Sequence, residues 1–133
     1  MDKISVLLAS SHKSLRQSLR AVLENEDWIQ VVGASASRAD ALELAKELAP
    51  QVVVLDMDLE GDGLEAGRQI LEVSPEAKII VLSTYDYVGQ ITVKPSPNGE
   101  APEIASVDWL SKKSSLADLL KTISGVKRRR RIH

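Results

Sequence analysis

Asp56 closes the apolar run Val52-Val53-Val54-Leu55 and is followed at once by Met57-Asp58-Leu59-Glu60-Gly61-Asp62-Gly63. A carboxylate delivered by a rigid strand can act as a nucleophile, as a metal ligand or as one half of an ion pair. Three more acids, Asp58, Glu60 and Asp62, stand in the turn behind it. A second polar group of residues, Ser10-Ser11-His12-Lys13-Ser14, follows the first apolar run. Hydroxyls and a lysine at a strand-to-helix turn suit an anion such as a phosphate or a nucleotide tail. The third feature is Lys127-Arg128-Arg129-Arg130-Arg131, five consecutive cations able to give salt-sensitive attraction to nucleic acid, to an acidic membrane surface or to a docking partner.

The elements that must position these groups are legible from hydrophobic pattern. Val52 to Leu55 lacks polar alternation and carries three valines, so it predicts a parallel strand buried on both faces with Asp56 at its C-terminal end. In open α/β sheets ligands and chemistry collect at that edge. Ile4 to Ala9, Trp28 to Gly33, Lys78 to Ser83 and Val107 to Ser111 read as four more strands, the last two followed or closed by Ser83 and Lys112. Between them, Leu15/Leu19/Val22/Leu23, Leu42/Ala45/Leu48, Leu64/Ile70/Leu71/Val73 and Leu116/Leu119/Leu120/Ile123 recur at helical spacing. Ser37 with Asp40, and Ser115 with Asp118, are N-cap signatures, and Pro50 and Pro75 close two of the helices. Strands alternating with helices predict βαβ units around a five-stranded parallel sheet, doubly wound by right-handed crossovers.

One stretch breaks the rhythm. Between Ser83 and Val107, where a fourth helix should lie, stand Gly89, Pro95, Pro97, Gly99 and Pro102 around the β-branched run Ile91-Thr92-Val93. Proline and glycine at this density disfavour a helix, so a short extended hairpin or a long ordered loop is expected across residues 84–106. A segment of that kind in a compact domain points to a functional or partner-held surface.

A chain of 133 residues fits one domain able to bury its own core. The absence of cysteine removes a disulfide framework and thiolate chemistry, and the two histidines, His12 and His133, are too few for a zinc site. Aromatic residues make up 3% of the chain, which does not support a base-stacking platform. The run Ile4 to Ala9 is too short for a signal-peptide core or a membrane span, and a cytoplasmic location is the expectation. Removing the five-residue basic run from the 17 basic residues leaves 12 against 19 acids, so the body is acidic at a formal −7. The expected division is a domain over residues 1–125 and a basic tail over residues 126–133.

The order of elements, with Val52-Val53-Val54-Leu55-Asp56, Asp62-Gly63-Leu64-Glu65-Ala66, Ile79-Ile80-Val81-Leu82-Ser83 and Trp109-Leu110-Ser111-Lys112, resembles the receiver domain of bacterial two-component response regulators. Val6-Leu7-Leu8-Ala9 and Val31-Val32-Gly33 are most similar to receivers that carry helix-turn-helix output domains. The resemblance implies a flavodoxin-like fold in which Asp56 stands at the position phosphorylated by a sensor histidine kinase. It also implies that Lys112 pairs with the phosphoryl oxygen, that Ser83 binds it, and that Trp109 occupies the place of a switching tyrosine or phenylalanine.

Members of that family hold Mg²⁺ with two adjacent acids after the first strand, where this chain has Ser10-Ser11. Three carboxylates and a lysine need a divalent cation for balance, whereas Asp56 and Lys112 balance without one. The loop after Asp56 also lacks the family's methionine-proline pair. The expectation is therefore an atypical receiver, non-enzymatic and without a cofactor, that signals through protein contacts. Two alternatives stand beside it: a working phosphorelay receiver in which Asp58, Glu60 or Asp62 recruits Mg²⁺ to Asp56, and an anion-binding module using the Ser10 to Ser14 turn. The expected partners are proteins, either a sensor kinase or an output protein, with a homodimer as a further option and nucleic acid met only weakly through the basic run.

Overall fold

The structure is a computed structural model that describes residues 3–83, 107–111 and 116–130, with the backbone alone at Trp109 and at residues 127–130. Its elements run β1 (Ile4–Ala9), α1 (Lys13–Glu24), β2 (Ile29–Ser35), α2 (Arg38–Leu48), β3 (Val52–Asp56), α3 (Gly63–Val73), β4 (Lys78–Ser83), β5 (Val107–Ser111) and α4 (Leu116–Arg130). The five strands form one parallel sheet in the order β2-β1-β3-β4-β5. β3 lies in the middle, all five of its residues buried.

Side chains alternate across the sheet, as strand geometry requires. Val6, Leu8, Val52, Val54, Ile80 and Leu82 meet Leu19 and Leu23 of α1 and Leu119, Ile123 and Val126 of α4. Leu7, Val53, Leu55, Ile79 and Val81 meet Ala41 and Ala45 of α2 and Ala66, Ile70 and Leu71 of α3 on the other side. The doubly wound arrangement follows from these two apolar layers. Asp56 continues the parity of Val52 and Val54, so its carboxylate belongs to the α1/α4 side of the sheet edge.

Of the two predicted caps the Ser37 one is described and matches, and Asp62, read from sequence as a possible metal-recruiting acid, proves to cap α3. The Ser37 hydroxyl accepts from Asp40 N at 3.3 Å, and the Asp62 carboxylate accepts from Leu64 N and Glu65 N at 3.0 and 3.3 Å. Two glycines shape the loop between β3 and α3. Gly61 takes a φ of 92°, and a Cβ on Gly63 would stand 2.3 Å from the Asp56 carbonyl oxygen. Only a residue without a side chain fits that approach.

Two expectations need correction. The second strand runs Ile29–Ser35 instead of Trp28 to Gly33, with a register shift against β1 between Val6 and Leu7 that absorbs one extra residue. The last helix continues to Arg130, so the boundary placed after residue 125 falls inside α4 and Val126 is core at 9% exposure. Val126 extends the stripe of Leu119 and Ile123 by one turn. Cations at a helix C-terminus complement its dipole, so the basic run prolongs the helix where it was read as a tail. The Pro/Gly-rich stretch of residues 84–106 lies outside the described residues, as do Ser115 and Lys112.

Glycine substitutions separate these effects. Gly63→Ala is expected to destabilise by about 1–3 kcal/mol, because the added methyl must displace backbone. Gly125→Ala, in α4 with open space around the added Cβ, is expected to stabilise by roughly 0.4–1 kcal/mol. Urea unfolding midpoints at equal m-value check both signs.

Candidate functional site

Asp56 is 1% exposed at the C-terminal end of β3. A buried carboxylate is tolerated when its oxygens accept hydrogen bonds. The Ser10 hydroxyl donates to Oδ2 at 2.8 Å, and Asp58 N donates to Oδ1 at 2.9 Å. Ser10, itself 2% exposed, accepts in turn from His12 N at 3.1 Å, so its hydroxyl both donates and accepts. Arg16 reaches back from α1 to give Nη1 to the Ser10 carbonyl at 2.7 Å. The His12 imidazole lies on the rim, 60% exposed, with Nε2 4.0 Å from Asp56 Oδ2. Ser83 is buried at the end of β4, the strand beside Asp56, and Met57 N donates to Leu82 O at 2.9 Å.

Ser11 does something different. Its hydroxyl donates to Ala36 O and accepts from Glu60 N, both at 2.7 Å, bridging the β2–α2 and β3–α3 loops. Of the two adjacent serines, Ser10 meets Asp56 and Ser11 ties loops together.

The acids behind Asp56 are placed elsewhere. Asp58 and Glu60 are exposed, and the Asp62 carboxylate caps α3. Among the described residues no three of His, Cys, Asp and Glu form a group able to hold a metal ion. The octahedral oxygen coordination that Mg²⁺ prefers, carboxylates included, does not fit a pocket in which, among the described residues, Asp56 is the one buried carboxylate and a hydroxyl donates to it. The Ser10 to Ser14 turn likewise has its first two hydroxyls committed to internal bonds, which leaves little for an anion. The pairing of Asp56 with Lys112 and the side chain of Trp109 lie outside the described residues, although Trp109 pairs with Val81 in the sheet.

Sequence reading missed Arg16 and the amide of Asp58. Arg16 stands one helical turn after His12, the spacing that returns a long side chain to the strand end. The Asp58 amide had no signal, because a backbone donor is set by the path of the turn.

Residues 6–124 match the response regulator receiver domain. The chain belongs to that family. The transcriptional regulatory protein LiaR of Bacillus subtilis is 34% identical over 122 residues, which are 91% of this chain and 56% of LiaR. The response regulator UvrY of Escherichia coli is 32% identical over 124 residues, 92% of this chain and 54% of UvrY. The receiver thus spans about half the length of these curated relatives. The response regulator domain of Thermotoga maritima CheB shares the fold with a TM-score of 0.73 at 23% identity, covering 93% of this chain and 96% of that domain. No helix among the described residues of the receiver is long and apolar enough to cross a membrane.

The Ser10 contact gives a measurable test. Ser10→Ala removes the hydroxyl donor to Asp56 Oδ2 in a buried site and is expected to cost about 1–3 kcal/mol. Ser14→Ala, on the exposed side of α1, is expected to stay within roughly 0.5 kcal/mol of wild type. Chemical unfolding of the two variants reads the difference.

Proposed function

We propose that this receiver is an atypical signalling module that works through protein contacts and without Mg²⁺-dependent phosphorylation of Asp56. Membership of the receiver family places it in two-component signalling. The observation that carries the finer reading is the Ser10 hydroxyl on Asp56 Oδ2, at the position where the family resemblance calls for a metal-binding acid. Phosphoryl transfer to a carboxylate relies on electrostatic neutralisation of the transferring group, and a neutral hydroxyl supplies none of it. Ser11 cannot compensate, because both of its bonds go to backbone atoms of flanking loops.

On this reading the module is not an enzyme, and its partners are a sensor kinase or an output protein that recognises its surface. Residues 84–106, whose proline and glycine content departs from a helical pattern, are the stretch in which its contacts are expected to differ from those of other receivers. LiaR is a transcriptional regulatory protein. An analogous output for this chain would have to be supplied by a further domain or by a separate protein.

Incubation with a small phosphodonor and Mg²⁺, followed by intact-mass measurement, tests the proposal. The unmodified mass is expected throughout. A phosphoryl adduct that disappears in Asp56→Asn would overturn it in favour of a working phosphorelay receiver.

A further inference from the structure

Charges from the two ends of the chain gather on one side of the sheet. α1 and α4 pack on the same apolar layer, through Leu19 and Leu23 and through Leu119, Ile123 and Val126. α1 brings Lys13, Arg16 and Arg20 against Glu24, and α4 brings Lys121 and Lys127-Arg128-Arg129-Arg130 against Asp118. That is eight cations to two acids, and Glu26 and Asp27 in the loop after α1 raise the acids only to four. On the other side of the sheet, α2 and α3 hold three cations to five acids. Lys46 and Arg68 pair there with acids of their own helices.

The whole chain is formally −2, so a polyanion is attracted only where cations are gathered on one face. Lys13 begins α1 at the Asp56 edge of the sheet, next to β1. Val126 lines the cleft at the opposite edge, and α4 runs on through Arg130 beyond it. With 12 and 15 residues the two helices are about 18 and 22 Å long, so the cations form an extended array. Duplex DNA carries one negative charge per about 1.7 Å of its axis.

The outer side of these helices suits no apolar partner. Lys13, Ser14, Gln17, Ser18, Arg20 and Ala21 are exposed on α1. Among the described side chains of both helices, Leu116 is the one exposed large hydrophobic, at the end of α4 away from the basic run. A membrane-surface helix buries an apolar face, and a protein interface centres on an aromatic or aliphatic anchor. Single strands are held by stacking on aromatic residues, and neither helix contains one. A second copy meeting this face with its own would bring like charges together. Phosphates of a duplex ask only for Lys, Arg and small polar side chains.

We propose that the α1/α4 face binds the phosphate backbone of duplex DNA, without sequence preference, through Lys13, Lys121 and the basic last turn of α4. Binding there does not depend on whether Asp56 is phosphorylated, so the two readings fail separately.

Fluorescence anisotropy of a labelled DNA duplex, titrated with the full chain over a series of salt concentrations, tests the face. Saturable binding is expected, equal for unrelated sequences, with a log–log salt slope of about −3 to −5. Lys13→Gln and Lys121→Gln are each expected to weaken it roughly fivefold at low salt and to reduce the slope by about one. Lys46→Gln makes the same charge change at an exposed position on the acidic side and is expected to leave both unchanged. Equal losses in all three variants would show attraction to net charge with no face. Loss in Arg128→Gln/Arg129→Gln but not in Lys13→Gln or Lys121→Gln would reduce the site to the basic run and overturn the face. Absence of binding at low salt, tighter binding of single-stranded RNA, or binding to phosphatidylserine vesicles in place of DNA would each overturn duplex DNA as the occupant.

Discussion

The hydrogen bond from Ser10 to the buried carboxylate of Asp56 is the contact on which the functional end of this receiver depends. An ionised carboxylate taken out of water costs of the order of several kcal/mol unless its oxygens are satisfied. Asp56 is 1% exposed, with a hydroxyl on one oxygen and a backbone amide on the other. Those donors in turn set the path of the chain on both sides. The Asp58 amide is aimed at Asp56 only if the loop turns sharply after β3. The Ser10 hydroxyl is held by the first amide of the turn into α1, and the Ser10 carbonyl by Arg16.

The sheet explains why this point is so well buried. β3 is the central strand, with an apolar layer of α1 and α4 on one side and of α2 and α3 on the other. Any group at its C-terminal end is delivered rigidly and flanked by the ends of β1 and β4. The opposite edge of the sheet has a different character. There an open cleft of about 1040 Å³ is lined by Pro50, Gln51, Val73, Pro75 and Val126, away from the carboxylate.

The family scaffold and the local chemistry are therefore separable in this molecule. Strand order and the two-sided layering of helices follow the shared fold, because two apolar layers on a parallel sheet admit few alternatives. Two adjacent hydroxyls stand after β1, where the resemblance implies acids, and each has a distinct structural use. Ser10 takes over the neutral part of carboxylate satisfaction, and Ser11 closes the gap between two loops. Ser10 donates to Asp56 Oδ2 and Ser11 to Ala36 O, and an ionised acid at either position could donate neither bond.

Much of this was legible in the sequence for a simple reason: hydrophobic periodicity is local, and it marked the strands β1, β3, β4 and β5, the location of Asp56 at a strand end and most of each helix's buried stripe, although Leu48, Val73 and Leu116, read as part of those stripes, are exposed at the helix ends; the Ser37 cap was legible from its spacing to Asp40. The basic run misled because a string of cations reads as solvated chain, whereas Val126 and the helix dipole carry α4 through it to Arg130. What Ser10 and Ser11 do could not be read at all. Adjacent residues at a strand end point to opposite sides, and which partners lie there depends on how β3 and the loop after β2 are brought alongside β1. Residues 46 apart for Ser10 and Asp56, and 49 apart for Ser11 and Glu60, meet only when the sheet assembles. Composition and periodicity determined the layers, and the tertiary structure decided which of two identical hydroxyls satisfies a carboxylate and which ties two loops, because hydrogen-bond partners are set by position in space and not by spacing along the chain.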